Sequence, residues 1–225
     1  MKYADITPTF GAELEQGTQL AEISDDEVIA LKQLAAERGV VVARNQIMDV
    51  HAQVRFGRRL GPIMDSPKKI PDVPEGLILI QAGPKSKTVA GQKWHSDVSS
   101  EAIPPGLSML RMEVVPTSGG DTLFADMYRA FELLSPAMQN FLKQLTARHD
   151  PKGHYLYLSG AKKLDELPST NHPVVRTHPL TGRDALYVNS GFVGRINELS
   201  SLESKRLLEM LYDHIAYSVD IQCRV

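Results

Sequence analysis

Gln92-Lys93-Trp94-His95-Ser96-Asp97-Val98 sets an imidazole and a carboxylate two residues apart. On a strand, successive side chains alternate faces, so His95 and Asp97 would share one face with Cα atoms about 6.5 Å apart, within reach of one ion. An imidazole nitrogen and a carboxylate oxygen, completed by a second histidine from elsewhere, make the 2-His-1-carboxylate face that keeps open positions on non-haem Fe(II). The tripeptide is short, and a surface hydrogen-bonded pair has the same sequence. The flanking segments have to decide between the two.

Upstream, the irregular piece Gly83 to Gly91 leads into the Trp94 segment, which places the pair at a loop-to-strand junction on a rigid scaffold. Before it, Leu77-Ile78-Leu79-Ile80 reads as an apolar strand after a long punctuated connection from Gly61 to Pro74. Ser24-Asp25-Asp26-Glu27 has the form of a capping box, and Val28, Leu31, Leu34 and Ala35 repeat at helical spacing until Gly39. A short strand, Val40 to Ala43, follows, and Asp49 caps a second helix carrying Val54, Phe56 and Leu60 to Gly61-Pro62.

Downstream, Pro104-Pro105-Gly106 is a turn, and Leu107 to Val115 reads as a strand apolar on both faces. Helices are expected from Asp126 to Leu134 and from Ser135-Pro136, then a strand from Leu145 to His149. Residues 151–173 read as a lid segment. Val174–Thr177 and Ala185–Asn189 form a hairpin, Ser201–Tyr217 a helix with Leu207, Leu208, Leu211 and Ile215 on its buried face, and the last residues another strand. Many short strands with helices outside suggest a mixed α and β, mainly β domain, an antiparallel double-sheet jelly roll.

At 225 residues the chain suits one domain, 1–225. Its net charge of −2 and scattered 25 basic residues leave no electrostatic footprint for nucleic acid or an anionic membrane, which points to a small-molecule partner. Cys223 is the sole cysteine, so neither an internal disulfide nor a thiolate zinc cluster can form. No apolar run has the length of a membrane span and the first residues lack a signal-peptide core, so a cytoplasmic location is expected. Exposed apolar helical faces are compatible with a homodimer or homotetramer.

Several separated segments together resemble the taurine dioxygenase and 2,4-dichlorophenoxyacetate dioxygenase family of Fe(II)/2-oxoglutarate-dependent oxygenases. They are Ala36 to Val42, Trp94 to Val98, Pro116 to Leu123, His172 to Pro179, Leu186 to Asn189, and Leu199 to Leu211. The resemblance implies a double-stranded β-helix with flanking helices, Fe(II) as metal, 2-oxoglutarate as cosubstrate and O2 as reactant. It implies that His95 and Asp97 are the first two metal ligands, that Thr122 helps hold the 2-oxoglutarate carboxylate, and that Val98 and Phe192 line the substrate pocket. The implied activity is hydroxylation of a small organic substrate as 2-oxoglutarate and O2 become succinate and CO2.

Two departures stand out. The histidine and asparagine with which the family's taurine enzyme binds its sulfonate are replaced by the Ile63-Met64-Asp65 loop and by Gly91, which argues against taurine itself. The family's distal histidine, its 2-oxoglutarate arginine and the closing strands have no counterpart after Asp220–Val225, so the C-terminal strands of the barrel are expected to be missing. None of His51, His149, His154, His172, His178 or His214 matches that distal ligand, and His214 is read as a helix-packing residue. The alternative reading is therefore a non-catalytic fragment or binding remnant of the same fold. A zinc hydrolase is disfavoured because no glutamate stands near the pair as general base.

Overall fold

The computed structural model describes residues 1–64, 71–83, 86 and 91–225. Residues 65–70, 84, 85 and 87–90 lie outside that description, and with them Asp65 and parts of the two connections expected at Gly61–Pro74 and Gly83–Gly91.

The chain opens with β1 (Tyr3–Asp5) and β2 (Ala12–Leu14), an antiparallel pair in the register Tyr3↔Leu14 that the sequence reading did not anticipate. In α1 (Asp25–Arg38), the Ser24 side chain accepts from the Glu27 N–H while Glu27 accepts from the Ser24 N–H at 2.8 Å. This reciprocal box satisfies two of the amides that a helix start leaves unpaired. Gly39 ends the helix at φ 75°, where a Cβ would fall 1.9 Å from the Phe10 ring. Only glycine fits that crossing. β3 (Val41–Val42) then runs parallel to β2, and α2 (Val50–Leu60) starts where Asp49 accepts from the Ala52 N–H at 2.6 Å. Leu14, Val28, Leu31, Leu34 and Phe56 close the first apolar core between these elements.

The second core is built from residue 123 onward. β4 (Leu123–Ala125) is followed by α3 (Met127–Glu132), α4 (Pro136–Leu142), β5 (Thr146–His149), α5 (Gly153–Ser159), β6 (Thr170–Pro173), β7 (Val175–Thr177), β8 (Asp184–Leu186), β9 (Val193–Ile196), α6 (Ser201–Tyr217) and β10 (Gln222–Arg224). β5 lies between β6 and β9, antiparallel to both, β7 pairs with β8 as the expected hairpin, and β10 closes antiparallel on β4. α6 lays Leu208, Leu211 and Ile215 against Ala147, Leu186, Val193 and Ile196. Each such leucine contributes about 1.5–3 kcal/mol by burial. His214 packs as expected, its Nε2–H donating to the Ala130 carbonyl at 2.8 Å. The span 151–173 holds α5 and a 3-10 turn at Leu164–Glu166, and its last residues form β6, an edge strand of the central sheet.

Two expected strands do not form. Leu77–Ile80 and Leu107–Val115 make no ladder, and Leu79 and Val114 are 56% and 83% exposed. Apolar, β-branched composition favours a strand only where a neighbouring strand can take its N–H and C=O groups, and among the described residues neither segment has one. Trp94–Val98 is likewise irregular chain running into a turn rather than a strand. Among the described residues helices therefore hold more residues than strands, so the fold described is mixed α/β without being mainly β. The strands that do form make four sheets of two or three strands among the described residues.

Candidate metal centre

His95 and Asp97 come together, but by a turn and not by strand alternation. The chain turns over residues 97–100, closed by the Glu101 N–H donating to the Val98 carbonyl at 3.0 Å. Val98 sits at φ 50°, a left-handed conformation that costs a β-branched residue about 1–3 kcal/mol. The result points both polar side chains the same way, with His95 Nε2 3.3 Å from Asp97 Oδ1.

Each ligand candidate has its other atom fixed. The Lys93 carbonyl stands 2.7 Å from His95 Nδ1, and because a carbonyl can only accept, Nδ1 carries a proton and Nε2 is the nitrogen left to serve a partner. Ser108 donates to Asp97 Oδ2, leaving Oδ1 toward the histidine. The hydrogen bond to Asp97 raises the His95 pKa above its ordinary value, and the same contact lowers that of Asp97, so each partner favours the charged form of the other. The side chains are 33% and 50% exposed, so the pair is open on one side.

The donor chemistry fits a metal as far as it goes. Ligand bonds of about 2.1 Å at a right angle put two donors about 3 Å apart, close to the separation seen. Among the described residues no group of three or more His, Cys, Asp or Glu stands ready to hold an ion, so the described donors here are the two of His95 and Asp97.

Behind the pair lies the loop between β8 and β9. Ser190 Oγ donates to the Trp94 carbonyl at 3.2 Å, and a Cβ on Gly191 would fall 2.8 Å from His95 Cβ. The backbone therefore passes so close to His95 that only a hydrogen fits between them. Asn189 Nδ2 donates to Ser99 Oγ at 3.1 Å and its Oδ1 accepts from the Phe192 N–H at 2.9 Å. Phe192 is buried, with its ring 5.8 Å from that of Tyr155 on α5. Lys152, at the start of α5, donates to the Ser190 and Val193 carbonyls at 2.8 and 3.3 Å. Thr122 stands apart: its N–H and C=O pair with Val225, and no described contact joins it to His95 or Asp97.

Residues that sequence reasoning missed are Ser99, His149, Asn189 and Gly191. His149 had a signal available, because Ala147 and His149 alternate onto the same face of β5, the face buried against the ligand turn.

Known proteins share this arrangement of chain. A Saccharomyces cerevisiae alpha-ketoglutarate-dependent sulfonate dioxygenase is 35% identical over 242 residues, covering 100% of this chain and 58% of its own length. The alpha-ketoglutarate-dependent 2,4-dichlorophenoxyacetate dioxygenase of Cupriavidus pinatubonensis is 28% identical, with 93% of this chain and 80% of the relative covered. The crystal structure of a taurine dioxygenase from Burkholderia xenovorans superposes with a TM-score of 0.81 at 27% identity, covering 100% of this chain and 75% of that one. The chain spans 54–66% of the length of four yeast and Penicillium relatives that it matches. No helix among the described residues is long and apolar enough to cross a membrane. The family described as "Taurine catabolism dioxygenase TauD, TfdA family" matches residues 2–225, and the chain belongs to it.

Proposed function

We propose that the protein is an Fe(II)/2-oxoglutarate-dependent dioxygenase with a double-stranded β-helix fold that hydroxylates a small organic anion. The observation that carries this reading is the His95–Asp97 pair, two donors of the right kind 3.3 Å apart on an open face. His95 through Nε2 and Asp97 through Oδ1 would hold Fe(II), which with 2-oxoglutarate and O2 supplies the oxidising power for hydroxylation and leaves succinate and CO2.

The chain's own residues prepare that site. The Lys93 carbonyl fixes the His95 tautomer, Ser108 holds the second carboxylate oxygen of Asp97, and Gly191 lets the backbone back the imidazole without displacing it. Metal entry requires the proton shared between His95 and Asp97 to leave, so binding is expected to release a proton. Thr122 would contact the 2-oxoglutarate carboxylate, and Val98 and Phe192 would line the substrate side. We read α5 as the cover of that side, since Tyr155 packs on Phe192 and Lys152 grips the Ser190–Val193 loop.

An anionic substrate is supported by two lines. The relatives named above act on a sulfonate and a phenoxyacetate. Lys93 and Lys152 also lie near each other beside the turn, where burial first and then the Lys93 charge hold Lys152 below its ordinary pKa. A sulfonate or carboxylate would relieve that crowding of positive charge.

The test is anaerobic titration with Fe(II) and 2-oxoglutarate, followed by succinate release with a panel of alkyl sulfonates and aryloxyalkanoates. A saturable visible band that His95→Ala abolishes, and succinate formed with an anion of the panel, are the expected results. A wild-type protein with neither band nor succinate would instead be a binding remnant of the same fold, the reading favoured by the two-ligand count among the described residues.

A further inference from the structure

We propose that His149 is a positioning residue of the metal centre, which fixes the turn carrying Asp97 through the Ser99 hydroxyl. The inference rests on the metal reading of His95 and Asp97 above.

The turn at 97–100 belongs to no sheet and contains a valine at φ 50°. A conformation of that kind persists only where the surroundings over-determine it. What surrounds it is a set of side chains on the second core. Ser99 and Ser100 are fully buried, and the Ser99 hydroxyl meets Asn189 Nδ2 at 3.1 Å and His149 Nδ1 at 3.0 Å. One step further along, His172 Nε2–H donates to the Glu101 carbonyl at 3.0 Å. His149 lies on β5 and His172 on the neighbouring β6, so the turn is pinned to the central sheet at Ser99 and Glu101.

The direction of each bond follows from its neighbours. The Phe192 N–H can only donate, so Asn189 must present Oδ1 to it and Nδ2 to Ser99. Ser99 Oγ accepts from Asn189, and its own proton has His149 Nδ1 within reach at 3.0 Å. With Nδ1 accepting, His149 is a neutral imidazole whose proton sits on Nε2, a buried nitrogen without a hydrogen-bond partner among the described residues. The fold enforces that state: the ring has no solvent exposure, stacks on Tyr187 at 5.3 Å and meets the edge of His172 at 4.9 Å. Burial, and then the nearby charges of His172 and Arg176, bring its pKa down to about 4. Nothing in the metal reading requires a buried neutral histidine 50 residues from Ser99, unless its task is to hold that serine.

The experiment is Mn(II) titration of the natural full-length protein, read by the resonance of free Mn(II), beside a thermal midpoint for each variant. His149→Phe preserves ring volume and offers no nitrogen. His149→Asn is smaller but places an amide oxygen where Nδ1 stands. The expected result is a crossed order. His149→Phe is the more stable variant yet binds Mn(II) about tenfold more weakly than wild type, as does Ser99→Ala, while the less stable His149→Asn stays within about threefold.

If affinity follows stability, with Phe near wild type and Asn weakest, His149 is only packing and the proposal falls. If His95→Ala abolishes binding while all the His149 and Ser99 variants bind like wild type, this proposal alone falls. If wild type does not bind, or His95→Ala binds equally well, the metal reading fails and takes this one with it.

Discussion

The residues described between 71 and 122 and those from 123 to 225 are made of similar amino acids and behave differently. From 123 on, a core of apolar side chains is paired element against element: Leu211 of α6, Ile196 of β9 and Leu186 of β8 are all essentially unexposed. Between 71 and 122, Ile78, Ile80, Leu110, Met112 and Val115 all stand at least half exposed. The contrast shows that β-rich composition orders a chain only when a partner strand meets it. It also shows how a site can sit on chain with no ladder of its own. The turn at 97–100 borrows its order from His149, His172 and the Asn189–Gly191 loop, all of which belong to the packed region.

The largest effect separating the two regions should come from Leu211→Ala. Removing a fully buried leucine from the second core is expected to cost about 3–4 kcal/mol in denaturant unfolding. A loss below about 1 kcal/mol would mean that α6 is not packed as described.

The next is a pH effect that reaches the turn through the sheet. His149 has a folded pKa of about 4 against an ordinary 6.5. The unfolded chain therefore takes up a proton first as pH falls. The stability contribution is whole above pH 6.5 and is lost progressively toward pH 4, up to about 3 kcal/mol. His149→Phe should flatten that acid limb in urea midpoints measured from pH 7 to pH 4. An unchanged slope would show that His149 is not the group titrating.

A smaller effect should fall on the site and spare the cores. Gly191→Ala places a methyl 2.8 Å from His95 Cβ. Metal affinity is expected to drop about tenfold while the thermal midpoint moves little. Equal losses of affinity and stability would mean that the loop, not the histidine, gives way. Smallest of all, Leu110→Ala, on a side chain 57% exposed, should change stability by less than about 0.5 kcal/mol. A larger cost would show that Leu107–Val115 is covered in solution.

Local chemistry was the legible part of the fold. The Ser24–Glu27 box, the Asp49 cap, Ser135-Pro136 and the periodic leucines of α6 each act within a few residues of themselves, and all four helices form where the sequence places them. The strands β1, β2 and β6 were not legible, because they exist through their partners, whereas β3, β5, the β7–β8 hairpin and β10 form where the sequence places them. Thr170-Asn171-His172-Pro173 has little strand propensity and is a strand because β5 lies beside it. The same rule, inverted, made Leu77–Ile80 and Leu107–Val115 look like strands. At the site, the proximity of His95 and Asp97 was legible from spacing, but the cause is a left-handed turn at Val98 that no periodicity announces.

The bonds that grip Ser99 come from 50 and 90 residues away, and the one from Ser190 to Trp94 spans 96. Contacts so distant in sequence close loops whose entropy must be met before any reward arrives. The pairing of β5 with β9 closes a loop of similar length but joins a ladder and a buried core, so the central sheet and α6 are expected to form first and the turn at 97–100 to be shaped on their surface afterwards. Substitutions at Ser99 should then leave the refolding rate unchanged and act on unfolding alone, the signature of a turn that is the last part of the molecule to assemble and the first to come undone.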